Sequence, residues 1–265
     1  MNILYIGDIM GEPGRETVRI LLPGLRSEFG LDLVIAQAEN VSHGVGMTPQ
    51  HMDELKSYGV DVFTGGNHTY KKPGLHGPLK DDSAPVIGPA NLPVSPGRGF
   101  AYVDTVHGKV LVISILGTIF PLKEGELISN PLQKIDEILY LQKGVARAAT
   151  LVNFHGDWSS EKVVFGHYLD GRVSAVIGDH WHVPTADARV LPKGTAHITD
   201  VGMTGALNSC LGVKIDRIVP RWRDGTKNRN DLEEARPWQL NAVLIETNNT
   251  TSLAKSIQHI HREIA

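Results

Sequence analysis

Hydrophobic positions along the chain fall into short runs closed by turn residues, with longer stretches of helical spacing between them. Asn2 to Ile6 is a short apolar run that reads as a strand and leads into Gly7-Asp8. Gly11-Glu12-Pro13-Gly14 reads as a tight turn, and Arg15 to Phe29 carries Val18, Leu21, Leu22, Leu25 and Phe29 at helical spacing despite Pro23. Strand, glycine-rich turn and helix together open a βαβ unit. Leu31 to Ala38 forms a second strand that stops at Glu39-Asn40. Thr48 and Pro49 mark the start of a short helix over Gln50 to Tyr58. Val60 to Thr64 is a third strand, running into Gly65-Gly66-Asn67-His68.

Lys71 to Gly99 is rich in Pro and Gly, and reads as a long ordered excursion of the kind that usually carries function. Phe100 to Val106 and Val110 to Ile115 flank His107-Gly108-Lys109, a hairpin signal that adds antiparallel strands to the parallel ones. Pro131 to Gly144 has an amphipathic helical pattern, Thr150 to Phe154 is a strand ending in His155, and Ser159 opens a helix to about Leu169. Val173 to Ile177 is a strand buried on both faces, followed by Gly178, His180 and His182. If the segment stays extended, its period of two points both histidines one way and Trp181 the other. Thr195 to Thr199 is a further strand, followed by Asp200 to Gly205. Arg217 to Pro237 holds five arginines among polar residues, and is expected to be a solvated connection rather than a phosphate-facing flap. Leu240 to Glu246 is a closing strand, and Ser252 to Ile260 is a second strand or a terminal helix.

Composition narrows the function classes. The 265 residues are enough for one sizeable α/β core, and neither a linker nor a repeat marks a boundary, so one domain over 1–265 is expected. The 26 Lys and Arg against 29 Asp and Glu give a net charge of −3, which offers no broad footprint for duplex nucleic acid or a membrane surface. A small anionic ligand bound locally is compatible with that balance. Cys210 is the only cysteine, so an intrachain disulfide and a thiolate metal cluster are both excluded. No run reaches the ~20 apolar residues of a membrane helix, and no basic segment precedes an apolar one at the N-terminus. A cytoplasmic location is expected, and the oligomeric state is left open, a homo-oligomer included.

On this reading Asp8, Glu39, Asn40, Asn67, His155, His180 and His182 all lie at the C-terminal ends of strands in one sheet, where open α/β sheets bind ligands. Taken singly, each is more often a turn residue, a cap or a satisfied core histidine. Taken together, oxygen and imidazole donors recur at five strand ends, a set that suits Mn, Fe or Zn. A dinucleotide site is disfavoured, because glycines at 7, 11 and 14 do not fit G-x-G-x-x-G.

The order Gly7-Asp8, Glu39, Gly66-Asn67-His68, His155 and Gly178-Asp179-His180-Trp181-His182 resembles the calcineurin-like metallophosphoesterases. The nearer resemblance is to their YmdB-like branch, the 2′,3′-cyclic-nucleotide 2′-phosphodiesterases. It runs through IGDIMGEPGRE, AENVSHGVGMT, GGNH, PGRGF, SEKVVFGHYLDGRVSAVIG, HVPTAD and ITDVGMTG, nearly the whole chain. It implies the calcineurin-like α/β fold, mixed β-sheets layered with helices as a four-layer α/β/β/α sandwich. It also implies two divalent or mixed-valence ions, Fe or Mn: one held by Asp8, Glu39, Asn40 and His182, the other by Glu39, Asn67, His155 and His180. Glu39 would bridge them, a bridging hydroxide would attack the phosphorus, and His68 would be the general acid. The implied reaction converts 2′,3′-cyclic nucleotides to 3′-nucleotides; the alternatives are a different phosphoester preference, or a regulatory or scaffold protein that keeps the fold without catalysis. Lys71-Lys72, Asn153 to Asp157 (NFHGD) and Pro184 depart from the branch pattern and bear on substrate preference.

Overall fold

Alternate residues of the first strand, β1 (Asn2–Ile6), face two different cores. Leu4 and Ile6 enter one, Ile3 and Tyr5 the other, as the pleat requires. A strand apolar on both faces has to be covered on both, and the rest of the chain supplies the covers.

The computed structural model describes residues 1–118 and 127–265. After β1 come β2 (Asp8–Ile9), α1 (Gly11–Phe29), β3 (Leu33–Gln37), α2 (Pro49–Ser57), β4 (Val62–Thr64) and the short α3 (His76–Lys80). Next are β5 (Phe100–Thr105), β6 (Gly108–Leu116), α4 (Pro131–Leu141), β7 (Ala149–His155), α5 (Ser159–Tyr168) and β8 (Ala175–Asp179). The chain ends with β9 (Arg189–Val190), β10 (Ala196–Ile198), β11 (Met203–Ala206), α6 (Ile215–Asp224), β12 (Trp238–Thr247) and β13 (Ala254–Ile264). Two sheets result among the described residues. The first runs β2-β11-β12-β1-β3-β4, with β13 also paired to β12; the second runs β5-β6-β7-β8-β10-β9. Strands β1, β3 and β4 are mutually parallel, and so are β6, β7, β8 and β10.

Burial gives the layer order. α1 and α2 cover the outer face of the first sheet, where Val18, Leu22, Leu25, Met52 and Leu55 meet Leu4, Ile6, Val34 and Phe63. Between the sheets, Ile3, Tyr5, Ile35 and Val243 pack on Val110, Val112, Leu151 and Ile177. Beyond the second sheet, Ile135, Ile138 and Phe165 of α4 and α5 pack on Leu111, Ile113, Val152 and Phe154. This is the α/β/β/α sandwich of the calcineurin-like fold. Each such aliphatic side chain contributes about 1.5–3 kcal/mol relative to exposure, so the three interfaces outweigh any surface interaction.

Several expectations are corrected. The strands form two sheets, because β6 extends the hairpin into a parallel set of its own and does not join β4. Helix α1 starts at Gly11, since Gly14 N already bonds Met10 O at 3.1 Å and Pro13 lies in the first turn, where no N–H is needed. The 217–237 stretch is not simply a solvated connection: it contains most of α6, whose Ile218 is buried against Met10, Met203 and Val213. Its arginines find local partners, Arg217 with Asp231 at 3.1 Å and Arg221 with Asn228 O at 2.6 Å. The 200–205 stretch yields β11, which pairs with β2 and β12. Of the two readings for the residues after 252, the strand holds: β13 runs antiparallel to β12.

Candidate active site

Because β1, β3 and β4 are parallel, Asp8, Glu39-Asn40 and Asn67 emerge from the same edge of the first sheet. His155, at the end of β7, and His180 and His182, just past β8, emerge from an edge of the second sheet. The expected single sheet is thus two, and the donors meet across the gap between them. The alternation argument for His180 and His182 also fails. β8 ends at Asp179, and His180 and His182 take φ of 111° and 65°. The two imidazoles face the site because the backbone turns through the left-handed region, a strained conformation for residues with a Cβ that concentrates at functional positions.

His155 is the centre of the tighter group. Its Nδ1 lies 2.6 Å from Asp179 Oδ1. Its Nε2 lies 3.2 Å from Glu39 Oε1, 3.1 Å from Asn67 Oδ1 and 3.1 Å from His180 Nδ1. Once Nε2 gives up its proton while Nδ1 keeps the one directed at Asp179, four lone-pair-bearing atoms converge, and a cation can take that proton's place among them. Gly66 enforces the space: a Cβ there would collide with Glu39 Oε2 and with the His155 ring. The ligand atoms of Glu39, His155 and His180 lie within 4.8 Å of one another, a group that could hold a metal ion. Oxygen and imidazole donors of this kind fit a borderline divalent cation.

Asp8, Asn40 and His182 form a looser group. His182 Nε2 is 3.8 Å from Asp8 Oδ1, and the Asn40 amide nitrogen lies 3.2 Å from His182 Nε2 and 3.4 Å from Asp8 Oδ1. His182 Nδ1 is 3.1 Å from Leu211 O, which fixes the ring with Nε2 inward. The Asn40 amide hydrogens thus lie between two acceptors, as a cation would. Ligation through Asn40 Oδ1 needs a half-turn of the amide. That Oδ1 now accepts from His68 Nδ1 at 3.0 Å. His68 also donates its backbone N–H to Glu39 Oε2 at 2.9 Å, tying the histidine to the carboxylate.

Burial and charge set the protonation pattern. Burial opposes ionisation of Glu39, but the charge on His155 and bonds from His155 and His68 prevail and lower it to about 2. Burial likewise opposes a charged His155, yet Glu39 and Asp179 on either side raise it well above the usual imidazole range. His180 is pushed down to about 3 by burial and by the nearby His155 charge, and burial lowers His182. Asp8 is raised well above the carboxylate range by burial and by its proximity to Asp179. The site therefore draws positive charge to the point between Glu39 and Asp179, and keeps His180 and His182 neutral.

The supporting residues escaped the sequence reading. Asp179 is fully buried and accepts from His155, from Tyr5 OH at 2.7 Å, from Gln37 Nε2 at 3.1 Å and from Asn153 Nδ2 at 2.5 Å. Lys162, buried on α5, donates to Asp200 Oδ2 at 2.7 Å and to Asp179 O at 2.8 Å, while its ammonium lies 4.1 Å from the Trp181 ring centroid. Asp200 also takes the Trp181 N–H at 2.9 Å. This buried pair pins the 179–182 turn that delivers His180 and His182. Asp179 sits inside the GDHWH motif and Lys162 inside the SEKVVFGHYLDGRVSAVIG block, which were signals; Tyr5 carries none.

A cleft of about 570 Å³ opens at the site, lined by Glu39, Asn40, His68, His180 and His182. Met10, Val213, Ile218 and Trp222 line the same cleft. The 217–237 stretch therefore reaches the cleft, whereas none of the described residues lining it comes from the proline-rich 71–99 excursion.

A family model described as "YmdB-like protein" matches residues 4–260. A Bacillus subtilis protein named 2′,3′-cyclic-nucleotide 2′-phosphodiesterase is 37% identical over 263 residues, 98% of this chain and 96% of that one. A structure titled as a novel phosphatase from Mycoplasma pneumoniae superposes with a TM-score of 0.91 at 31% identity, over 99% of this chain and 93% of that one. A hypothetical protein from Thermus thermophilus gives 0.88 at 34%, over 99% of both. The 5′-nucleotidase of Candida albicans shares the fold at a TM-score of 0.54 and 11% identity, over 98% of this chain and 50% of that one. With the match running almost end to end and the donors gathered at facing sheet edges, the chain belongs to the YmdB-like family.

Proposed function

We propose that this chain is a two-metal phosphodiesterase, organised as one domain, that opens 2′,3′-cyclic nucleotides to 3′-nucleotides with Fe or Mn as its ions. The observation that carries the reading is the convergence on His155 Nε2 of Glu39 Oε1, Asn67 Oδ1 and His180 Nδ1 within 3.1–3.2 Å. The relative named as a cyclic-nucleotide phosphodiesterase supports the substrate class.

In this reading Glu39, Asn67, His155 and His180 would hold one ion, and Asp8, Asn40 and His182, with Glu39, would hold the other. Bound there, two ions supply Lewis acidity, an activated water and charge for both oxygens of an in-line displacement. The chain's own groups do the rest. Asp179 and Leu211 O hold the Nδ1 atoms of His155 and His182, which fixes the tautomer and aims each Nε2 inward. Glu39 Oε2 holds His68 by its backbone N–H, and Asn40 Oδ1 holds its Nδ1 until the amide turns over to ligate. Nε2 is then the nitrogen that carries a proton to the departing 2′ oxygen, a step worth about 10²–10⁴-fold. His68 is partly exposed in the cleft, so it reaches substrate while the carboxylates stay buried.

The test is metal analysis joined to a substrate panel: cyclic nucleotides, phosphomonoesters and simple diesters assayed with Mn and with Fe. Two ions per chain and a preference for 2′,3′-cyclic nucleotides are expected. A metal-replete protein that binds none, or that hydrolyses no phosphoester, refutes the reading.

A further inference from the structure

The apolar residues that line the cleft have no role in the chemistry above, and the most exposed of them is Trp222, at 85%. A tryptophan so placed offers a large, rigid apolar face to a ligand. It stands on a fixed support. Ile218, one helical turn earlier on α6, is buried against Met10, Met203 and Val213, and Trp222 follows four residues later on the same side of the helix. Asn230 lines the same space. Arg221 donates to Asn230 Oδ1 at 2.8 Å and to Asn228 O at 2.6 Å, which clamps the 228–230 segment against α6. The Asn230 carbonyl is thereby occupied, and its amide nitrogen is left as a donor.

We infer that Trp222 and Asn230 form a nucleobase subsite: the indole stacks on the base and the Asn230 amide donates to a ring acceptor. This rests on the phosphodiesterase reading and adds to it what the ion-binding residues lack, recognition of the substrate's base. One cleft holds His68, His182, Glu39 and Trp222 together, and at about 570 Å³ it suits one small ligand rather than a polypeptide. A flat ring with an apolar face and a polar edge matches an indole beside an amide. Ile215 and Val219 also expose apolar surface on α6, at 50% and 52%, but they do not line the cleft.

The probes are adenosine 3′-monophosphate and inorganic phosphate, titrated calorimetrically into metal-loaded wild type, Trp222→Ala, Trp222→Phe and Asn230→Ala. Base stacking on an aromatic side chain corresponds to about 5- to 150-fold in affinity. Trp222→Ala is expected to weaken adenosine 3′-monophosphate by that factor and Trp222→Phe by less, with phosphate affinity unchanged in both. The side chain is exposed, so neither change should affect folding. Equal nucleotide affinity in Trp222→Ala overturns the subsite, as does an equal loss for phosphate. A change in oligomeric state with nucleotide affinity intact also overturns it, by showing that a second copy covers the face. Cyclic-nucleotide turnover is measured on the same samples: Trp222-dependent nucleotide binding without turnover sinks the activity and leaves the subsite, and turnover with Trp222-independent binding does the reverse.

Discussion

Replacing Asp179 by Asn keeps its shape and removes its ability to accept on both oxygens. Oδ2 receives Tyr5 OH, Gln37 Nε2 and Asn153 Nδ2, while Oδ1 faces His155 Nδ1. If the new amide nitrogen takes the Oδ2 place, Tyr5 escapes by turning its hydroxyl toward Thr64 Oγ1, 2.8 Å away, but the Gln37 and Asn153 amides meet a third donor. Two unpaired buried donors at about 1–3 kcal/mol each give about 2–6 kcal/mol, a large part of an ordinary domain's stability. At roughly 2–4 °C per kcal/mol for a chain of this size, the melting temperature falls by at least about 4 °C. If the amide turns over, His155 Nδ1 must accept, its proton moves to Nε2, and the lone pair aimed at Glu39 and Asn67 is lost. Metal affinity then drops by about 10–100-fold, as for other outer partners of metal-binding histidines. Thermal unfolding of metal-stripped protein, paired with Mn titration of the folded protein, reads both branches. Asp179→Asn with melting temperature and Mn affinity both at wild-type values would refute the role given to Asp179.

Gly66→Ala drives a methyl group into Glu39 Oε2, so metal content should fall sharply while the unfolding temperature moves only a few degrees; full metal occupancy would show that the donor set can spread. His68→Ala should keep both ions and slow cyclic-nucleotide hydrolysis by about 10²–10⁴-fold, with a far smaller loss on a nitrophenyl diester whose leaving group hardly needs a proton. Equal losses on both substrates would assign His68 to phosphate orientation instead. Burial lowers the pKa of His197, which lies away from the site with Nδ1 on Val176 O and Nε2 without a partner. Its folded pKa is depressed, so its contribution is present above the unfolded value near 6.5 and is lost as pH falls below it, because the unfolded chain takes the proton first. His197→Gln should therefore flatten the decline of stability below about pH 6.5 relative to wild type, and parallel urea-denaturation curves for the two proteins from pH 7 to 5 would reject it.

Much of the architecture is legible in the chain because each strand of the parallel sets is short, apolar on both faces and closed by a polar residue. Val34 to Gln37 and Ala175 to Ile177 announce strands buried on both sides, and Glu39, Asn67 and His155 follow directly on such runs. Local spacing cannot report which strands pair, so a reading of the sequence puts into one sheet strands such as β4 and β6 that belong to two. The same limit applies at His180 and His182, whose convergence follows from two left-handed residues and the buried Lys162–Asp200 pair, not from strand periodicity. Helix α6 was hidden because its polar surface dominates the composition, and only Ile218 is buried against the fold. Donor types and their order were thus determined by sequence alone, since a strand end needs only its own residues. Which oxygen faces which nitrogen at 3.1 Å was decided by tertiary structure, because Tyr5, Gln37, Asn153 and Asp179 come from four separate strands and meet only when the two sheets pack face to face.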